Sequence, residues 1–318
     1  MTGRHDPDAP APTPQPALAA VALYGTALRY AEVEPAAGPH ESGRLRRLGT
    51  CDFDFAVDEA VLGLTGPTYL DTVIEAVREI FRGTSARSLL VAVHPPALTG
   101  FFAPLPEALA APERYEQLRQ EAALLADVST SQPVRIRAVP VRTEVLADGP
   151  HRWHHVLHVP EPVHARLMLI AKALGVNTYD LVDTTHAAAA VVRALDAHRA
   201  APPPPFTLAL GAYPGHTELA LVHDGQWYHG HHAPGRAPED AAYFAAALLD
   251  RLGLQAGQVR RVVLYGEEAD PARYGLLADL FGAAPTLLDP LAVYGRTPPE
   301  AGPALLAAYV PCVGALLR

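Results

Sequence analysis

Two apolar strands joined by a turn are indicated by Phe206-Thr-Leu-Ala-Leu-Gly-Ala-Tyr-Pro-Gly-His-Thr-Glu-Leu-Ala-Leu-Val222. The next four residues, His223-Asp-Gly-Gln226, carry the Asp-Gly signature of a tight hairpin turn before a third strand. An earlier stretch has the same outline, Val21-Ala-Leu-Tyr-Gly-Thr-Ala-Leu-Arg-Tyr-Ala-Glu-Val33. Each opening is followed by helix-then-strand segments. The repeat therefore predicts a bilobal α/β protein with a cleft between its lobes.

Composition narrows the class of protein. A chain of 318 residues allows about two domains, and an apolar content of 49% is ample for packed cores. The formal charge of −9 argues against nucleic-acid binding, because that binding is driven by basic groups neutralising phosphates. The two cysteines, Cys51 and Cys312, lie far apart and fit a reduced, cytoplasmic protein. We see neither a signal-peptide layout nor an apolar run long enough to span a membrane, so no direct membrane insertion is expected.

The first half of the chain has a regular order of elements. Residues 1–17 are rich in proline and polar residues and are predicted to be a disordered tail. The first lobe is predicted over 18–201, with strands at 18–23, 28–33 and 48–57, a helix at 69–83 and a buried strand at 88–93. Three meandering strands followed by a helix and a strand are the outline of an RNase H-like half-fold.

A small subdomain interrupts this half-fold at about 97–150, with a helix predicted at 112–127. The half-fold resumes with a strand at 153–159, a helix at 161–174, a strand at 179–182 and a helix at 185–198. The proline run at 202–205 is predicted to connect the lobes. The second lobe, 206–318, repeats the layout, with strands at 206–211, 217–222, 226–232, 259–265 and 286–288 and helices at 238–252, 271–281 and 302–316. We expect the last helix to pack back between the lobes.

Several segments, taken in order and spacing, resemble the actin-like ATPase superfamily, and within it the PilM-like cytoplasmic proteins of type IV pilus assembly. They are His155-Val-Leu-His-Val-Pro-Glu-Pro-Val-His-Ala-Arg-Leu, Leu174-Gly-Val-Asn-Thr-Tyr-Asp-Leu-Val-Asp183, Asp224-Gly225, Leu288-Asp-Pro-Leu291 and the closing Ala308-Tyr-Val-Pro-Cys-Val-Gly-Ala-Leu-Leu-Arg318. The resemblance covers nearly everything after residue 18. It implies an α/β, bilobal, actin-like fold with two RNase H-like lobes and a subdomain inserted in the first. The cytoplasmic half of the type II secretion protein GspL has the same architecture.

The resemblance also implies a partner. PilM-like proteins hold the N-terminal tail of a single-span, PilN-like membrane protein in a groove between the first lobe and its inserted subdomain. That groove is expected within residues 88–145 here, and it would keep the protein peripheral to the inner membrane through its partner. Contacts with other pilus platform and motor proteins are implied too, and homo-oligomerisation is left open. A bound extended peptide requires no catalytic residue.

Nucleotide binding in this superfamily uses three loops, and all three depart from the pattern here. The first loop is normally Asp-x-Gly and is Leu23-Tyr24-Gly25 here. The second, also normally Asp-x-Gly, corresponds to Ala209-Leu210-Gly211 or to Gly211-Ala212-Tyr213, depending on where one gap is placed, and neither tripeptide contains an acid. The third, normally Gly-rich, is Gly266-Glu267-Glu268-Ala269, which brings two carboxylates to a site meant for an anion. The residues left for a degenerate site are Gly25, Thr26, Gly211, Gly215, His216, Thr217, Gly266 and Glu267.

Loss of both magnesium-organising acids predicts a pseudo-ATPase without catalytic residues or a cofactor, with weak ATP binding left open. The alternative is an active ATPase or phosphotransferase of the same fold with atypical loops. Histidines form two further groups, one at 151, 154, 155 and 158 and one at 229, 231 and 232. Neither has a full ligand set at a recognisable spacing. We interpret them as exposed hairpin tips and expect no metal.

Overall fold

The computed structural model describes residues 16–34, 43–64, 68–128, 134–199, 202, 204–235, 237–294 and 302–317. Residues 1–15 of the predicted disordered tail therefore lie outside the described residues. At the end of that predicted segment, Ala17 is buried, and its N–H lies 3.3 Å from Ser85 Oγ. The tail prediction is wrong at this residue, because Ala17 packs at the start of the first strand.

Along the chain, runs of strands are separated by helices. The strands are β1 (Leu18–Tyr24), β2 (Ala27–Glu34), β3 (Arg44–Asp52), β4 (Leu89–Val93), β5 (Gly100–Pro106), β6 (Arg135–Leu146), β7 (Gly149–Val159), β8 (Tyr179–Asp183), β9 (Phe206–Ala212), β10 (His216–His223), β11 (Gln226–Pro234), β12 (Val259–Tyr265) and β13 (Thr286–Leu287). The helices are α1 (Val57–Leu62), α2 (Leu70–Ile80), α3 (Ala111–Leu125), α4 (Glu161–Ala173), α5 (Thr184–Ala197), α6 (Pro238–Arg251), α7 (Gly275–Phe281), α8 (Pro303–Ala307) and α9 (Val310–Ala315).

The two lobes contain sheets of the same topology. The first sheet has the order β3-β2-β1-β4-β8 and the second the order β11-β10-β9-β12-β13. In each, three antiparallel strands are followed by two strands parallel to the first. The parallel strand β4 is buried along its whole length, as expected for a strand covered on both faces. The repeated hairpin outline of the sequence is thus the repeated half-fold of the structure.

The inserted subdomain is a three-stranded sheet, ordered β5-β7-β6, that packs against α3. The prediction that strand 153–159 belongs to the first half-fold is wrong, because β7 lies in the middle of this sheet. A two-residue turn joins Leu146 to Gly149, so the nearest partner for β7 is β6. The sheet therefore continues to Val159, past the predicted limit of about residue 150.

Two other predicted elements end differently. Strand β3 stops at Asp52, opposite the first residue of β2, and Val57 starts α1, so the strand predicted at 48–57 is wrong in its second half. The single helix predicted at 302–316 is divided into α8 and α9. Pro311 lies in the first turn of α9, where its missing N–H and fixed φ are tolerated, whereas in the middle of a continuous helix they are not.

Helices α5 and α9 connect the lobes. Helix α9 packs on β1, β2 and β4 of the first lobe and on α5, while α8 packs on β12 and β13 of the second. Helix α5 in turn contacts β9, β10 and β11. The approach of α9 to α5 is close enough that a Cβ on Gly314 would lie 2.1 Å from the carbonyl oxygen of Ala187. In the described part of the chain, no helix has the length and apolar character needed to cross a membrane.

Candidate functional site between the lobes

The β1–β2 turn faces the cleft but its backbone amide is already bonded. Gly25 adopts φ 53°, a left-handed conformation that favours glycine in a two-residue turn. Its N–H lies 3.1 Å from Asp58 Oδ2, at the start of α1. The carbonyl oxygen of Thr26 accepts a hydrogen bond of 2.8 Å from the Phe53 N–H. The amide that would face a phosphate is therefore occupied by a carboxylate of the protein.

The β9–β10 turn is filled by aromatic side chains. The Gly215 N–H donates to the hydroxyl of Tyr24 across the cleft, at 3.1 Å. Tyr213 is buried and its ring stacks on His216, with centroids 5.0 Å apart. A Cβ on Gly211 would lie 2.7 Å from the Tyr265 ring. Thr217 is buried within β10, between β9 and β11. This loop therefore presents rings, and not free amides, to the cleft.

The third loop is attached to both lobes. Gly266 has φ 96°, and its N–H donates to the Ala307 carbonyl oxygen at 3.1 Å. The carboxylate of Glu267 lies 2.6 Å from Arg29 Nη1 of the first lobe. Of the two carboxylates expected at this site, Glu267 is therefore neutralised by a guanidinium from the opposite lobe. This ion pair links the two lobes across the cleft.

Carboxylates dominate the remaining open space. A cavity of about 540 Å³ is lined by Gly25, Thr26 and Gly215, and its charged side chains are Asp52, Asp58, Glu59, Glu267 and Arg29. A triphosphate placed here would meet more negative than positive charge, and like charges repel strongly in a partly enclosed site. Of the site residues proposed from the sequence, Gly25, Thr26, Gly215 and Glu267 line this cavity, and its other charged groups oppose an anion.

Beneath the cleft lies a buried polar cluster that connects the lobes. Glu218 Oε1 lies 2.7 Å from His94 Nδ1 and 3.0 Å from His216 Nε2, and Tyr265 OH donates to Glu218 Oε2 at 2.8 Å. Burial alone would raise the pKa of the Glu218 carboxyl, but His94 and the hydrogen bond from His216 hold that pKa below its usual range. Burial raises the pKa of the hydroxyls of Tyr213 and Tyr265 well above the usual value.

The two histidine groups of the sequence differ in burial: the first is buried, whereas in the second His229 and His231 are partly buried and His232 is exposed. His151, His154, His155 and His158 are all buried, so the interpretation as exposed hairpin tips is wrong for that group. In the second group, His229 stacks on Phe102 with centroids 4.2 Å apart. Among the described residues, three possible metal ligands come within 4.8 Å of one another at His94, His216 and Glu218.

Sequence reasoning selected His216 as a degenerate nucleotide contact and missed His94 and Glu218. The sequence His216-Thr-Glu218 could have indicated that His216 and Glu218 lie together, since residues two apart on a strand share one face.

A groove separates the first lobe from the inserted subdomain. Its volume is about 300 Å³, and its walls come from β6, α4 and β8. Arg137 of β6 pairs with Asp180 of β8, with Nη2 3.1 Å from Oδ2. His164 Nδ1 lies 2.7 Å from Tyr179 OH, whose pKa burial raises to about 12. The groove predicted within residues 88–145 therefore has one wall from that window, and its other wall comes from residues 159–181.

Comparison with solved structures identifies the architecture. A chain of a PilM–PilN type IV pilus biogenesis complex superposes with a TM-score of 0.71 at 14% identity, covering 95% of this chain and 98% of that one. The chain has the actin-like fold. A Bacteroides thetaiotaomicron protein with an actin-like ATPase fold and unknown function gives a TM-score of 0.54 at 10% identity, covering 86% of this chain and 91% of that one.

The cytoplasmic domain of EpsL, from the type II secretion system of Vibrio cholerae, gives a TM-score of 0.46 at 12% identity, over 92% of this chain and 94% of that one. Identities this low establish the fold alone. No family model matches the chain, and no curated protein matches it. The predicted α/β, bilobal, actin-like fold is confirmed, and so is the likeness to PilM at the level of the fold.

Proposed function

We propose that this protein is a cytoplasmic scaffold of a type IV pilus assembly platform. It would bind the N-terminal tail of a single-span, PilN-like partner and reach the inner membrane through that partner. The supporting observation is the fold likeness to a chain of a PilM–PilN complex over almost the whole length of both chains. Contacts with motor proteins and self-association stay predictions of the same proposal.

The cleft supports a scaffold that does not hydrolyse nucleotide. Its phosphate-facing amides at Gly25 and Gly215 already bond Asp58 and Tyr24, so a nucleotide would have to break both hydrogen bonds. Leu23 stands where the superfamily has a magnesium-organising acid and is buried in the core of the first lobe. Phosphoryl transfer depends on metal and charge positioned around the phosphate, and neither is provided by these groups.

A nucleotide assay tests this part of the proposal. A ligand bound only by the folded state raises the melting temperature at concentrations above its Kd. We expect millimolar Mg²⁺-ATP to leave the melting temperature unchanged and to release no phosphate above the buffer rate. A clear shift together with protein-dependent phosphate release would favour the alternative, an active ATPase or phosphotransferase of the same fold.

The groove between the first lobe and the subdomain is suited to an extended peptide. It lies between two strands, β6 and β8, each paired on one side only within the described sheets. Unpaired strand edges offer backbone N–H and C=O groups to an added strand, and neighbouring side chains then set specificity. Ile136, Val159, Met168 and Leu181 give the groove an apolar lining. On one wall Arg135 and Arg137 are paired with Glu161 and Asp180.

Two neighbouring residues of α4 allow a matched test. Met168 lines the groove, whereas Leu169 is the next residue, is 48% exposed and does not line it. The probe is a fluorescently labelled peptide with the N-terminal cytoplasmic tail of a single-span protein encoded beside this gene. Met168→Glu should weaken binding of this peptide by at least about tenfold, because the new carboxylate would be desolvated against apolar groups. The control variant, Leu169→Glu, should bind the peptide as the wild type does.

Fluorescence anisotropy with both variants and the wild type measures the effect. Equal loss in both variants, or in neither, would place the peptide elsewhere on the surface. Failure of the wild-type protein to bind any such tail would reject the partner itself. Circular dichroism of each variant separates a local effect on the groove from unfolding.

A further inference from the structure

We propose that His94, His216 and Glu218 form a binding site for a divalent transition metal, with Zn²⁺ as the best fit, that joins the two lobes beneath the cleft. The inference goes beyond the scaffold function and does not depend on it. His94 directly follows β4 of the first lobe, and the other two residues lie on β10 of the second. An ion held by all three would therefore bridge the lobes.

The donor set and its spacing fit this metal. Zinc sites that leave one position open combine three protein ligands, and two histidines with one glutamate form an established set. One ligand atom from each of the three side chains lies within 4.8 Å of the others. Ligand atoms about 2.0–2.2 Å from a tetrahedral zinc ion are about 3.3 Å from each other. The two separations from Glu218 Oε1, 2.7 and 3.0 Å, need to open by about 0.3–0.6 Å, while the two imidazole nitrogens, which lie within 4.8 Å of each other, need to come to about 3.3 Å.

The surroundings hold the three side chains in place. The Tyr265 hydroxyl donates to Glu218 Oε2 and leaves Oε1 directed at both imidazoles. Tyr213 stacks on His216 and makes an edge contact with His94, with centroids 4.6 Å apart in the second case. Such outer partners orient metal ligands, and their loss typically weakens binding about 10- to 100-fold.

Charge and access favour a cation at this position. Glu218 is completely buried and bonds His94, His216 and Tyr265, and a cation in place of the imidazole protons would keep its carboxylate paired. His94 and His216 also line a neighbouring cavity of about 290 Å³, together with Asp58 and Glu59. That cavity has room for a water molecule as the fourth ligand, and its carboxylates attract a cation towards the opening.

The hydrogen-bonded cluster without a metal is the competing explanation, and zinc titration distinguishes the two. The full-length protein is treated with EDTA, dialysed and titrated with ZnCl₂ by calorimetry, and the metal retained after gel filtration is measured by mass spectrometry. We expect one tightly held zinc ion per chain and a rise in melting temperature when it binds. Tyr265→Phe should weaken binding about 10- to 100-fold, as expected for an outer partner.

The decisive variant is Glu218→Gln, which keeps the shape of the side chain and an acceptor oxygen facing the imidazoles but removes the charge; the Tyr265 hydroxyl then accepts from the amide NH₂ instead of donating. The variant should weaken zinc binding at least about 100-fold while the protein stays folded by circular dichroism, because a neutral amide oxygen is a poor ligand for this ion. The control is His198→Ala, which removes an exposed histidine at the end of α5 and should change nothing. A wild-type protein that retains no zinc, or a Glu218→Gln variant that binds it as the wild type does, would overturn the proposal.

Discussion

Replacing Gly314 with alanine should loosen the contact between the two helices that join the lobes. The added Cβ would lie 2.1 Å from the carbonyl oxygen of Ala187 and 2.9 Å from its Cα, whereas real Cβ contacts essentially never fall below 3.0 Å. The obstacle is backbone and cannot rotate away, so α9 has to move by about 1 Å from α5, at a cost of about 3 kcal/mol, the upper end for overpacked cores. The helix preference of alanine over glycine returns about 1 kcal/mol.

The net expectation is a loss of about 2 kcal/mol in the free energy of unfolding. Urea unfolding followed by far-ultraviolet circular dichroism measures it, with the slope compared between variants to check that the unfolding mechanism is unchanged. The control is Gly275→Ala at the start of α7, where no atom lies within 4 Å of the added Cβ. That variant should be neutral or gain up to about 1 kcal/mol. If Gly314→Ala is as stable as the wild type, the close packing of α9 on α5 is wrong.

Two further predictions concern the cleft and the buried histidines. A double-mutant cycle with Arg29→Met and Glu267→Gln should give a coupling of about 1–2 kcal/mol in the free energy of unfolding, because this part-buried pair joins the lobes. The coupling should weaken in 1 M NaCl, because salt screens the two charges. Zero coupling would mean that the pair does not hold the lobes together. Burial lowers the pKa of His229 to about 3, so between about pH 6.5 and 3 the unfolded chain binds a proton that the folded protein does not. Stability should therefore fall as the pH decreases through this window, by up to about 1.4 kcal/mol per pH unit from this group. His229→Leu should flatten the dependence measured by urea unfolding at several pH values, and an unchanged slope would contradict the assignment.

Most elements were predictable because their signals are local. Helix α2 follows from apolar residues at helical spacing, and the turn between β10 and β11 from Asp224-Gly225, where both residues have positive φ. The strand β7 was assigned to the wrong sheet, although its position in the sequence was correct. Its hairpin with β6 through the two-residue turn after Leu146 is local, but its pairing with β5, about 50 residues earlier in the chain, leaves no mark on the composition of the strand itself.

For the candidate site, the sequence predicted which residue types the three loops lack, but not which contacts occupy the cleft instead. An acid replaced by Leu23 or a glycine replaced by Glu267 can be identified from the loop alone, because the chemistry requires one residue type at one place. What fills the vacated positions could not be found in this way. Tyr24 bonds Gly215 across 191 residues of sequence, and His94 meets Glu218 across 124.

The amino-acid order by itself determined the repeated half-folds and their turns, since periodicity and turn chemistry act over a few neighbouring positions. Only the tertiary structure decided that the Tyr24–Gly215 hydrogen bond and the Arg29–Glu267 pair bridge the cleft, and that two histidines and a glutamate meet beneath it. The physical reason is that these contacts form between lobes whose separate sheets and shared helices first have to pack. Distance in space, and not distance along the chain, sets which charges and hydrogen-bonding groups satisfy one another.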